Sequence, residues 1–144
     1  MVFETMENKE GLIWYDGNLV DWKDAKLHVL THGLHYASSV FEGERSYSGR
    51  IFKLHEHTER LLYSASELDF EIPYSIDEIK QASYLTLEKN NLVDAYIRPI
   101  AWRGAETVGV SAQNTKIHFA IAVWEWPSYF SPEAVSYTHL RAHE

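Results

Sequence analysis

Leu34-His35-Tyr36-Ala37-Ser38-Ser39-Val40-Phe41-Glu42-Gly43-Glu44-Arg45-Ser46-Tyr47 is the stretch on which the reading of this chain turns. It sets a tyrosine, a phenylalanine, a glycine and an arginine in a span too polar for core and too apolar for a loop. On its C-terminal side, Arg45 to Tyr47 runs into Ser48-Gly49 and returns through Arg50-Ile51-Phe52-Lys53, which predicts a hairpin. On its N-terminal side, Lys26 to Leu30 predicts a short extended piece before Gly33. Earlier still, Leu12 to Tyr15 and Asn18 to Asp21 flank Asp16-Gly17. That dipeptide supplies the positive φ values of a type I′ turn.

Two helices follow. From about His55 to Leu68, the residues Leu61, Ala65 and Leu68 recur at helical spacing and predict one apolar stripe. Pro73 breaks the pattern. Ser75 with Glu78 forms a capping box that opens a second helix, buried through Ile76, Ile79 and Ala82 and ended by Asn90-Asn91. Ala95 to Trp102 and Ile117 to Trp124 predict strands. Neither row of the second is strongly polar, so it is expected to be central and covered on both faces. Hairpins, two helices and more strands predict an α+β fold, a mixed, mostly antiparallel sheet with two helices on one face.

The chain has 144 residues, 45% of them apolar, with five Trp, nine Tyr and six Phe, which argues for a folded domain that also lines a pocket or interface. Its net charge is −8. An acidic chain without a basic stripe is a poor ligand for nucleic acid or an anionic membrane. Cysteine is absent, which removes disulfides and thiolate metal sites. No apolar run approaches the roughly 20 residues that span a bilayer. The polar start, Met1 to Glu10, is unlike a signal peptide, so a cytoplasmic location is expected. Val135 to Glu144 reads VSYTHLRAHE, which resembles a translated sequencing adapter; it is set aside, and the natural protein is expected to continue.

Arg98 is the sharpest candidate. In an extended strand Tyr96, Arg98, Ile100 and Trp102 share a face. A buried arginine without a partner costs on the order of 3–5 kcal/mol, so it requires a carboxylate or phosphate. Tyr96 can add a hydroxyl to the same anion. The alternative is a structural salt bridge to one of the 21 acidic residues. Arg60, near a helix start, suits an anion site, or else a surface pair with Glu56. Arg45 by itself reads as a solvated strand arginine. His28, His32 and His35 have helical spacing, but Gly33 interrupts them and no further ligand joins, so no metal site is expected. Glu42 and Glu44 flank Gly43 without an evident partner.

Trp14-Tyr15-Asp16-Gly17, His35-Tyr36, Phe41-Glu42-Gly43, Glu56-His57 with Arg60-Leu61, and Tyr96-Ile97-Arg98-Pro99 occur in one order and at compatible spacing. Together they resemble the small domain of fold-type IV pyridoxal-phosphate enzymes, most closely the branched-chain amino acid aminotransferases. The resemblance spans about Leu12 to Ala134. It implies an N-terminal arm (1–11), a small domain (12–124), the start of an interdomain connection (125–134) and the set-aside tail (135–144). It further implies pyridoxal 5′-phosphate as cofactor, amino acids and 2-oxo acids as ligands, and a homo-oligomer. Arg60 would grip the cofactor phosphate. Tyr36, Phe41 and Gly43 would line the substrate side-chain pocket, with Tyr36 reaching the neighbouring subunit's site. Tyr96, Arg98 and Arg45 would receive the distal carboxylate of glutamate, and Trp126 and Tyr129 would close the wall.

Two departures qualify the resemblance. Glu44 stands where many relatives are apolar and is expected to neutralise the adjacent Arg45; Lys53 stands where many have arginine. The Schiff-base lysine that transamination requires lies in the second domain of the family. None of the seven lysines here matches it. The expectation is therefore transamination between leucine, isoleucine or valine and 2-oxoglutarate by a longer parent, with this chain inert alone. D-amino acid aminotransferase and aminodeoxychorismate lyase are rivals within the fold. A non-catalytic binding module is the rival outside it.

Overall fold

The structure, a computed structural model, describes residues 5–126. Its strands are β1 (Leu12–Tyr15), β2 (Asn18–Asp21), β3 (Ser39–Phe41), β4 (Glu44–Tyr47), β5 (Arg50–Ile51), β6 (Ala95–Arg103) and β7 (Ile117–Trp124). Its helices are α1 (His32–Tyr36), α2 (Leu54–Glu67) and α3 (Ile76–Lys89), with single 3-10 turns at Met6–Asn8 and Trp22–Asp24. One antiparallel sheet runs β2-β1-β7-β6-β4-β5, and β3 pairs with β6 ahead of β4.

Local chemistry sets the turns. Asp16 and Gly17 have φ of 48° and 97°, and Ser48 and Gly49 have 50° and 81°. Both hairpins therefore use the paired positive φ that matches the right-handed twist of their strands. The predicted capping box is complete: the Glu78 amide donates to Ser75 Oγ at 3.2 Å and the Ser75 amide to Glu78 Oε2 at 2.7 Å. Asn90, just past α3, donates to the Leu12 carbonyl and accepts from its amide at 2.9 and 2.8 Å, fastening the helix end to β1.

Helices α2 and α3 cover one face of the sheet. Leu61, Ala65, Ile97, Ala101, Phe119 and Ile121 are completely buried between the layers. Truncating a side chain such as Leu61 there costs about 2–5 kcal/mol. The α2 stripe is Leu54, Thr58, Leu61 and Ala65. Leu68, expected in it, is exposed instead, because Asp69 takes φ 61° and turns the chain away.

The second face carries α1 and the segment before it. Strand β7 is central, between β1 and β6, but the long helices α2 and α3 cover only one side of it. On the other side Ile13, Trp102 and Ala120 form a small buried cluster. Lys26 to Leu30 forms no strand; it closes on a turn in which the Thr31 amide donates to the His28 carbonyl at 2.9 Å. With α1 it walls an apolar trough of about 240 Å³ over Tyr15, Ile100 and Ala122.

At one end of this face His118 bridges two carboxylates. Its Nδ1 meets Asp16 Oδ2 and its Nε2 meets Glu106 Oε1, both at 2.6 Å. Asp16 Oδ1 also accepts from the Phe119 amide at 2.8 Å and the Asp16 amide donates to the Phe119 carbonyl at 2.9 Å, so the β1–β2 turn is tied to β7 three times. The acidic pair raises the His118 pKa, outweighing burial, which lowers it.

Candidate functional site

The decisive stretch is one strand with an interruption. Phe41 pairs with Ile100 and Glu44 with Ile97, so Glu42 lies opposite Pro99 and Gly43 opposite Arg98 in the same register. The Glu42 amide donates to the Pro99 carbonyl at 3.1 Å, but Pro99 has no N–H to return. Side chains alternate across a strand, so Phe41, Gly43 and Arg45 belong to the open face and Val40, Glu42, Glu44 and Ser46 to the helix face.

On the open face Arg98 is half-buried. Its Nη2 donates to the Tyr96 hydroxyl at 2.6 Å, and its guanidinium lies 4.2 Å from the centre of the Phe41 ring. Among the described residues no carboxylate pairs with it, so the structural salt bridge considered for Arg98 is absent there. Arg98 also lines the apolar trough. Gly43 makes this arrangement possible: a Cβ there would overlap the Tyr96 hydroxyl. Trp126 stacks on Tyr96 with ring centres 4.6 Å apart and 28° between planes. The Arg45 Nη1 donates to the Trp126 carbonyl at 3.3 Å, and its guanidinium lies 5.7 Å from the Tyr47 ring centre. Phe41, Gly43, Arg45, Tyr96, Arg98 and Trp126 are thus brought together.

The helix face holds the second centre. Glu42 is buried and accepts from Arg60 Nε at 2.7 Å, from Arg60 Nη2 at 2.6 Å and meets His57 Nδ1 at 2.7 Å. Burial would raise the Glu42 pKa, but the bonds from Arg60 and His57 hold it below the ordinary carboxylate value. The Arg60 side chain is 65% exposed, and its Nη1 has no partner among the described residues. The alternative pairing with Glu56 does not occur, because Glu56 pairs with Lys53 at 3.0 Å.

Glu44 corrects an expectation. It does not neutralise Arg45, since adjacent strand residues face opposite ways: Glu44 is buried on the helix face while Arg45 lies on the open face. Burial, with the Glu42 charge adding to it, pushes the Glu44 carboxyl up to about 8. Its Oε2 has no hydrogen-bond partner.

The candidates therefore divide between two faces of one strand. Arg60 joins Glu42 and His57; the remaining described candidates, apart from Tyr36, join Arg98. Tyr36 stands apart on α1, 49% exposed. Tyr129 lies outside the described residues. Sequence reasoning missed Glu42 as the partner of Arg60, because the two are 18 residues apart on different elements and no local pattern links them. Among the described residues no cluster of His, Asp and Glu is suited to a metal ion, and no helix is long and apolar enough to cross a membrane.

The branched-chain-amino-acid aminotransferase of Pseudomonas aeruginosa is 47% identical over 135 residues, covering 91% of this chain and 44% of that protein. The crystal structure of the Escherichia coli branched-chain amino acid aminotransferase superposes with a TM-score of 0.81 at 40% identity, over 88% of this chain and 43% of that one. The T.th. branched-chain amino acid aminotransferase, solved with pyridoxamine 5′-phosphate, superposes with a TM-score of 0.82 at 42% identity, again over 88% and 43%. The chain thus spans less than half the length of each. The profile of the amino-transferase class IV family matches residues 39–144. This chain belongs to the class IV amino-transferase family.

Proposed function

We propose that this chain provides the substrate-side half of a pyridoxal-phosphate aminotransferase that moves an amino group between branched-chain L-amino acids and 2-oxoglutarate. The observation that carries the reading is Arg98, a half-buried cation at the rim of an apolar trough, held by the Tyr96 hydroxyl and unmatched by any carboxylate among the described residues. One pocket must take an alkyl side chain in one half-reaction and a carboxylate in the other. Phe41 and the trough offer apolar burial; Arg98 offers a directed charge at the edge. Arg45, held by the Trp126 carbonyl, adds a second cation on the same face.

The donor set fits the cofactor's phosphate at Arg60. Its Nε and Nη2 are committed to Glu42, which fixes the guanidinium plane, and Nη1 remains to donate to a phosphate oxygen. Once bound, pyridoxal phosphate supplies the electron sink for chemistry at the amino acid's Cα. The residues of this chain bind and orient: Arg60 anchors the phosphate, Tyr96 and Arg98 take the distal carboxylate, and Phe41 and Trp126 exclude water. Proton movement at Cα falls to a lysine outside this chain, so the chain alone is inert. Tyr36 contributes to the site of a second copy.

The test is steady-state transamination by the full-length protein with L-leucine and 2-oxoglutarate, with D-alanine and aminodeoxychorismate as competing substrates. Leucine is expected to dominate. Arg98→Met is expected to raise KM for 2-oxoglutarate at least tenfold, as loss of a charge-assisted bond requires, and to change KM for leucine far less. Equal effects on both, or preference for D-alanine or aminodeoxychorismate, would reject the reading.

A further inference from the structure

A helix of five residues has too few internal bonds to hold itself in water, so α1 must be fixed from outside. Its two ends dock on the end of β6. The His32 amide donates to the Gly104 carbonyl at 3.0 Å, and the Arg103 amide donates to the Ser38 carbonyl at 3.1 Å. Between these points the chain reverses at Ala37, φ 55°, which brings Ser38 back toward the start of the helix. There the buried His32 Nδ1 meets Ser38 Oγ at 2.6 Å. Gly33 fits beneath because a Cβ would stand 3.3 Å from both the Ser38 carbonyl oxygen and the Trp102 Cβ.

The same imidazole locates Tyr36. The two rings lie 4.5 Å apart between centres with 39° between planes, and the His35 ring is more distant at 6.4 Å. Tyr36 makes no hydrogen bond among the described residues. Its ring is therefore placed by His32, and His32 is placed by Ser38.

We propose that the His32–Ser38 pair is a positioning clamp that fixes the Tyr36 ring and thereby sets how tightly the apolar side chain of the amino donor is held. This rests on the reading above that Tyr36 lines the amino-acid pocket of a second copy. His32 and Ser38 touch neither substrate nor cofactor; they act through Tyr36. A buried hydroxyl–imidazole bond is costly to break, because either partner left alone is an unsatisfied polar group.

The experiment uses full-length protein with 3-fluorotyrosine at position 36 alone, observed by fluorine NMR, together with leucine kinetics. The wild type is expected to give one narrow line. Ser38→Ala and His32→Phe are expected to broaden or split it, whereas Ser38→Thr, which keeps the hydroxyl, keeps it narrow. In Ser38→Ala, KM for L-leucine is expected to rise about fivefold, more than kcat falls. The clamp is overturned if the line stays narrow and unshifted in Ser38→Ala, or if the melting temperature drops while KM for leucine holds. If the wild type transaminates no amino acid yet the line broadens as described, the functional reading fails and the clamp on Tyr36 stands.

Discussion

Glu42 grips one edge of the Arg60 guanidinium with both carboxylate oxygens, 2.7 Å to Nε and 2.6 Å to Nη2, from a side chain only 5% exposed. The helix-face carboxylate therefore decides where the open end of Arg60 points, although it would touch no ligand itself. Glu42→Gln removes the charge but keeps the shape. The expected outcome is cofactor affinity weakened roughly tenfold, read by titrating the full-length apoprotein with pyridoxal phosphate. Unchanged affinity would separate Arg60 from the phosphate.

Gly43→Ala pushes a methyl group into the Tyr96 hydroxyl. That hydroxyl is the tip of a ring on the open face, stacked on Trp126, so the ring shifts while the helix-face core stays in place and Arg98 loses its 2.6 Å partner. A KM for 2-oxoglutarate raised about tenfold is expected, with the melting temperature nearly unchanged. A collapse in melting temperature would show that Gly43 is needed for folding rather than for aiming Arg98.

Glu44 gives the chain a pH dependence of known sign. Its folded pKa, about 8, lies above the ordinary carboxylate value, so the folded form holds a proton that the unfolded form releases. The stability it contributes is full below about pH 4.5 and declines as pH rises toward 8. Relative to Glu44→Gln, the wild type is expected to lose about 1 kcal/mol per pH unit across that window. Urea melts of both proteins at pH 5.5 and 7.5 check it; a constant difference would mean that Glu44 is solvated or paired.

His118 also titrates between folded and unfolded states. Its folded pKa is raised, so its contribution is full below the unfolded value, near 6.5, and is lost as pH climbs through the raised one. A neutral imidazole has one N–H and can serve only one of Asp16 and Glu106 as donor. The advantage of wild type over His118→Gln in thermal melts is expected to shrink between pH 6 and 9. A gap that widens with pH would contradict the bridge.

Much of this architecture was legible because its signals are local. Asp16-Gly17 and Ser48-Gly49 carry their own turn chemistry, and Ser75 with Glu78 carries its own cap. Strand alternation put Tyr96, Arg98, Ile100 and Trp102 on one face, as found. Lys26 to Leu30 misled because Leu27 walls a trough while Val29 and Leu30 stand exposed instead of pairing, and periodicity cannot tell those roles apart. The Glu42–Arg60 pair was hidden because it joins a strand to a helix. The burial of Glu44 was hidden because the alternation that sends it inward depends on a register set by β6.

Among the described residues the first hairpin finds its sheet neighbour in the final strand: β1 pairs with β7, and Asp16 bonds to Phe119 across 103 residues. At roughly 5–20 residues per second of synthesis, β1 and β2 leave the ribosome several seconds before their docking partner exists. During that interval the edge later covered by β7 is bare, so this is where a nascent chain would recruit chaperones or misassociate.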